Sequence, residues 1–216
     1  MPAAKKLTAD AFFVLQITLA LISGGSQFLR LLDTSQGVNV SWLASWLTFL
    51  VINLDLTIRA HRSRPSRVTL QTVLTYSAWT LVIAANLALL LWRGTERWDS
   101  KDTVTAMAVG LGVLVTLLYA RVRGLGLTDP MVNAGFGMCF IGLPQLTLAY
   151  KIFTVGGAGL AGGMLLAGHI GITTRLGQLM FAIREAGWDR NRLAAALSEI
   201  ANEVTWVLVT VAWWVG

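Results

Sequence analysis

Runs of apolar residues near 20 long, separated by short polar breaks, recur along the chain. About 20 apolar residues is the length an α-helix needs to cross the hydrocarbon of a bilayer. Seven runs qualify, at residues 11–32, 40–59, 68–92, 103–120, 131–153, 159–174 and 193–214. The sixth is short, and the seventh is interrupted by Glu199 and Glu203. The pattern predicts an all-α integral membrane protein of seven transmembrane helices.

Several breaks carry helix-starting chemistry. Thr128-Asp129-Pro130 offers a polar cap followed by a proline suited to the first turn. The Asp99–Asp102 stretch supplies N-cap candidates for the fourth helix, and Arg62-Ser63-Arg64-Pro65-Ser66-Arg67 is too polar to remain in hydrocarbon. The segment Arg184–Arg192, with Trp188, is the longest break; it reads equally as an interfacial stretch or as an ordinary connector.

The apolar runs repeat. Leu50 to Arg59 aligns without gaps on Leu166 to Arg175, setting Asn53 against His169 at an offset of 116. Upstream, Ser26-Gln27 matches Pro144-Gln145 at an offset of 118, and downstream Arg67 matches Arg192 at 125. Three anchors in order, with gaps only in loops, describe a three-helix unit used twice. The first unit covers 1–92 and the second 128–216, with a linker helix in 93–127, a 3-1-3 plan. An odd linker makes the two units parallel, related by an axis along the membrane normal.

The run Gly142-Leu143-Pro144-Gln145-Leu146, followed by Tyr150-Lys151, resembles the Pro-Gln signature of the PQ-loop transporters, the group that holds the SWEET and SemiSWEET sugar carriers. Gln27, then Leu31-Leu32-Asp33-Thr34-Ser35-Gln36-Gly37-Val38-Asn39 and Trp42, is similar to that family's stretch from first to second helix. The resemblance spans both units. It implies a small-solute carrier working by alternating access, with hinging at Pro144, Gln145 and Gln27. Position 26 departs from the motif, being Ser where the family has Pro. The resemblance also implies a substrate-reading asparagine on the third helix of a unit. Asn202 carries that over, whereas its repeat partner Ser77 does not.

Composition agrees with a lipid solvent. Only 13% of the 216 residues are charged, against roughly a quarter in a soluble domain. The mean hydropathy is +0.65. Nine Trp and 21 Gly fit a membrane chain as well, because Trp collects at interfaces and Gly is frequent in membrane helices. The net charge of +6 resides in short loops, where it points to orientation and lipid headgroups and not to nucleic acid. The lone Cys139 excludes an intrachain disulfide. The run from Ala11 lacks a small-residue cleavage site and reads as a retained first helix.

Polar residues at membrane depth mark pathways or hold helices together. Asn53 and His169, with Ser77 and Asn202, form two repeat-equivalent pairs expected to face the pseudo-symmetry axis and bind solute. Trp79 and Trp206 lie close to the second pair and could supply a flat apolar wall for a sugar-like or amino-acid-like solute; lipid-facing packing is the other reading. Glu203 is a candidate proton carrier, assisted by His169 or Asp55. The plainer alternative is a buried neutral Glu203, or one paired with Arg175. Asn86 has no polar equivalent and reads as interhelical glue. Gly159, Gly163, Ala167 and Gly171, at four-residue spacing, predict close backbone packing of the sixth helix.

Twelve Lys and Arg fall on the N-terminal side, from Lys5, Lys6 and Arg59 to Arg192, against Arg30, Arg93, Arg97, Lys101 and Lys151 on the other. That excess predicts a cytoplasmic N-terminus in the cell membrane, opposite to the orientation the SWEET resemblance implies. Other functions fit less well. The last helix lacks the lysine a retinal protein needs. His61 and His169 have no metal-ligand spacing, and neither a phosphate loop nor an H-E-x-x-H pattern occurs. The expectation is a non-enzymatic carrier without cofactor or metal, with the bilayer and a small solute as partners and homo-oligomerisation open. A non-transporting receptor or assembly subunit on the same fold is the alternative.

Overall fold

A computed structural model describes residues 3–93 and 98–216. Arg97 of the charge count, together with the side chains of Lys5 and Lys6, lies outside the described residues. The described residues form seven helical rods and no strand. These are α1 (Ala3–Asp33), α2 (Val40–Ser63), α3 (Arg67–Arg93) and α4 (Ser100–Val122), then a rod made of α5 (Pro130–Gly137) and α6 (Leu143–Val155), and finally α7 (Gly162–Ala186) and α8 (Arg190–Val215). Six of the seven are long and apolar enough to cross a membrane, α7 being the exception.

The expected caps form. Asp99 accepts from the Asp102 N–H while the Asp102 carboxylate accepts from Asp99, a reciprocal capping box that opens α4. Asp102 also accepts from the Ser41 N–H and hydroxyl, so one buried carboxylate serves the first turns of two helices. Asp129 caps α5 with Pro130 in the first turn.

The sixth run departs most from the apolar pattern. The sixth run, expected at 159–174, is a helix of 25 residues reaching Ala186. The longest break therefore shrinks to the connector 187–189, in which Trp188 is exposed, and the interfacial alternative for Arg184–Arg192 falls away. The hydropathy pattern stops short because Arg175, Gln178 and Glu185 are polar, yet all three line an internal cavity. A helix that turns polar groups inward can continue where an apolar run ends.

Packing follows a recurring scheme. In the first half α3 packs on both α1 and α2, and in the second half α8 packs on both the α5–α6 rod and α7. The halves meet twice, α1 against α7 and α2 against the rod, and α4 packs on the rod and α2. The small-residue stripe of α7 serves the α1 contact. A Cβ on Gly163 would come within 2.8 Å of the Ser26 hydroxyl. Gly159, just ahead of the helix, sits against the backbone of Ser35 and Gln36. Large apolar side chains such as Leu21, Met107, Leu111 and Val211 point outward, where lipid replaces water as their solvent.

Candidate functional site

A cavity of about 1120 Å³ lies between the two halves. Its outer wall comes from Phe12, Phe13 and Gln16 near the start of α1, Val68 and Gln71 at the start of α3, and Phe181 and Glu185 near the end of α7. These positions share the N-terminal end of the bundle. The cavity reaches Ser23, Gln145, Asn202, Trp79 and Trp206, toward the middle of the helices.

Its floor is aromatic. Trp79 packs on Trp46 with ring centroids 5.6 Å apart, Trp46 on Trp42 at 5.8 Å, and Trp42 stacks on Trp206 at 6.2 Å. Trp206 is fully enclosed and donates its indole N–H to the Leu165 carbonyl at 3.1 Å. The two tryptophans singled out in sequence thus sit at the ends of one four-ring chain, not facing lipid. Trp42 and Trp46, which complete it, carried only a weak signal as an i, i+4 aromatic pair.

Beyond this floor the far end of the bundle is closed by polar contacts. Gln27, fully buried, donates to the Gly159 carbonyl at 2.8 Å and accepts from the Ala161 N–H at 2.9 Å. Arg30 donates to the Ala158 carbonyl at 2.5 Å, and Gln36 donates to the Val155 carbonyl. Lys151, also buried, donates to the Val38 carbonyl at 3.0 Å and pairs with Asp99 at 3.2 Å. Asp99 lies outside the spans. Partial burial pushes its carboxyl up, but the N–H groups of Asp102 and Lys101 and the Lys151 ammonium outweigh that and hold it below the usual carboxylate range.

The predicted site residues divide. Asn202, Trp79, Trp206 and Gln145 line the cavity, and the Gln145 amide donates to the Asn202 side chain at 3.0 Å. Gln145 also accepts from the Thr205 hydroxyl. Pro144 is buried directly after a π-helical turn, Met138–Gly142. Ser77 is half-buried on α3 and outside the lining. Asn53 donates back to the Phe49 carbonyl of its own helix at 2.8 Å. His169 instead bonds α8, reaching Glu203 at 2.6 Å and Thr210 at 2.8 Å. The expected facing of Asn53 and His169 is not formed, because each is satisfied within its own half.

The acidic residues partition in the same way. Asp55 is held by Arg59 one turn on, at 2.8 Å on the outer surface of α2, away from the cavity. Glu203 pairs with His169, so Arg175 is left to Glu199, which it meets at 2.7 Å. Arg175 and Glu199 both line the cavity. In sequence Arg175 stands as the repeat partner of the outward-facing Arg59 and as the alternative partner of Glu203; the structure gives it Glu199 instead. Asn86 donates to the Gly24 carbonyl of α1 at 3.2 Å, as interhelical glue should. Three buried polar atoms on lining residues have no partner among the described residues: Gln16 Nε2, Ser23 Oγ and Glu199 Oε2. An unmet buried donor or acceptor costs about 1–3 kcal/mol, and all three atoms are covered by their neighbours in this state.

Comparison with protein-family models, curated proteins and solved structures returns no match. The fold and the cavity are therefore read on their own terms: an all-helical chain of membrane character enclosing a part-polar cavity.

Proposed function

We propose that the chain is a membrane carrier of a small polar solute, built as two parallel triple-helix units joined by α4, all seven rods spanning the bilayer. In this reading it resembles the PQ-loop transporters, with solute bound at Asn202 and Gln145 over the tryptophan floor. The repeated packing, α3 central in one half and α8 in the other, supports the two-unit plan. The polar lining of α7 supports its span, because the half-buried Arg175 and Gln178 line the cavity between the helices.

One observation carries the transport reading. The cavity is lined from the N-terminal end of the bundle down to mid-membrane, and the opposite end is shut by hydrogen bonds between the halves. A carrier must present its site to one side while sealing the other. With the N-terminus cytoplasmic, as the charge count expects, this state faces inward. Opening the far side requires release of Gln27 from 159–161 and of Lys151 from Val38.

Proton coupling, in the same reading, belongs to the His169–Glu203 pair. Its imidazole lies 6.5 Å from the Trp206 ring of the floor, so a change in its charge can be felt at the site.

Solute flux into proteoliposomes tests the proposal, with Asn202→Ala as the comparison and runs with and without a pH gradient. Flux that Asn202→Ala lowers at least tenfold is the expected result. A solute that binds yet is never moved would favour a receptor on the same fold. Equal rates with and without the gradient would remove the coupling.

A further inference from the structure

We propose that the Arg175–Glu199 pair is a recognition site for a zwitterion bearing a carboxylate and an ammonium, the Arg175 guanidinium taking the carboxylate and Glu199 the ammonium. This deepens the carrier reading, and rests on it only in taking the cavity as a ligand path.

The pair has the chemistry of a receptor and not of a finished salt bridge. Arg175 engages Glu199 through Nε alone, to Oε1 at 2.7 Å. A guanidinium carries five donors in a planar fork suited to a carboxylate. Among the described residues its terminal N–H groups bond no other acceptor. Glu199 Oε2 likewise has no partner. The side chains are 35% and 23% exposed, so the pair is open to the cavity that both residues line. Oε2 is covered in this state.

Charge balance selects the class. The pair is neutral, and it sits midway along α7, only partly exposed, where Coulomb terms are stronger than in bulk water. A ligand with only a carboxylate would bring a second negative charge beside Glu199. One with only an ammonium would compete with Arg175 for a single carboxylate. A zwitterion adds both charges in the complementary order and leaves the site neutral. Its remaining atoms would meet Trp79, Trp206 and Phe49, an apolar surface that suits a hydrocarbon side chain.

The test is equilibrium binding to the purified full chain in lipid nanodiscs. The probes are L-leucine, leucinamide (no carboxylate), isocaproate (no ammonium) and D-glucose. Leucine should bind at least tenfold tighter than the other three. Arg175→Met should weaken it about 30-fold or more, and Arg175→Lys, which keeps the charge but loses the fork, about tenfold. Glu199→Gln should weaken leucine about tenfold while strengthening isocaproate, a reversal that a merely structural role would not produce. Asp55→Asn, on the outer surface, serves as the folding control. The inference is overturned if leucine binds no tighter than leucinamide or isocaproate, if no probe binds, or if Glu199→Gln weakens all probes alike. Leucine bound without flux would keep this site and remove the carrier. Glucose flux without any binding of leucine would keep the carrier and remove this site.

Discussion

In the two-unit reading α1 and the α5–α6 rod are counterparts, α3 packing on the one as α8 packs on the other, yet they differ in backbone and in the task of the matched glutamine. α1 runs unbroken for 31 residues through Ser26. The rod contains the π-helical turn Met138–Gly142 just before Pro144. Proline has no N–H to donate to the preceding turn, and its ring crowds the carbonyl four residues back; a widened turn relieves both, and such turns recur at functional sites. Ser26 keeps its N–H, and its hydroxyl donates to the Ser23 carbonyl at 3.0 Å. The glutamines diverge accordingly. Gln27 crosses to the other half and shuts the far end, whereas Gln145 stays in its own half and shapes the cavity. One short sequence signature thus supplies a fixed strut in one place and a deformable lining in the other.

The largest effect should come from imposing the rod's chemistry on α1. Ser26→Pro removes an intrahelical hydrogen bond and forces a ring into the contact where Gly163 lies against Ser26. A proline inside a helix costs about 3 kcal/mol or more, so the variant should unfold well below the parent in a detergent melt. If it melts with the parent, α1 is as deformable as the rod and the contrast collapses.

Next in size is Gln27→Leu. It strands the Gly159 carbonyl and the Ala161 N–H, both buried partners, at about 1–3 kcal/mol for each group. Because the lost bonds join the halves at the closed end, the sealed state should suffer most. Labelling offers a direct reading, as Cys139 is the sole cysteine and is buried. A Ser35→Cys reporter should react with an impermeant maleimide at least tenfold faster in the Gln27→Leu background. Gln145→Leu should leave that rate unchanged.

Pro144→Ala is the mirror of the first test and smaller. Restoring the N–H lets the wide turn tighten toward a regular helix. We expect stability to rise by about 1 kcal/mol while solute flux falls, because the deformable segment is lost. A stable variant with full flux would show that the π turn plays no part in opening.

Much of this was open to sequence reading, and the limits are physical. The caps at Asp99 and Asp129 were legible because capping is local chemistry. Asn202 stood out by type and depth, Trp79 and Trp206 by their nearness to the Ser77/Asn202 pair, and Gln27 and Gln145 through the Pro-Gln resemblance and the repeat. The phase of each helix was not legible: Arg59 and Arg175 match in the repeat, but one faces out and the other lines the cavity. Nor was the length of α7, since inward polar residues lower hydropathy just as a loop does. The closing contacts of Gln27 and Lys151 join residues more than 110 positions apart, beyond what any local pattern encodes.

That difference between matched arginines gives the smallest prediction. Asp55 and Arg59 form an exposed pair one turn apart on α2, and such pairs contribute about 0.3–0.5 kcal/mol. Asp55→Asn should therefore barely move the melting curve, and it should leave the pH dependence of flux intact. Glu203→Gln should abolish that dependence, because it removes the titratable carboxylate beside His169. The two carboxylates are separated by which surface their helices turn inward, not by residue type. Should Asp55→Asn flatten the pH profile and Glu203→Gln spare it, the proton route would lie along the outer surface of the first half, and the second half would lose its claim to be the working one.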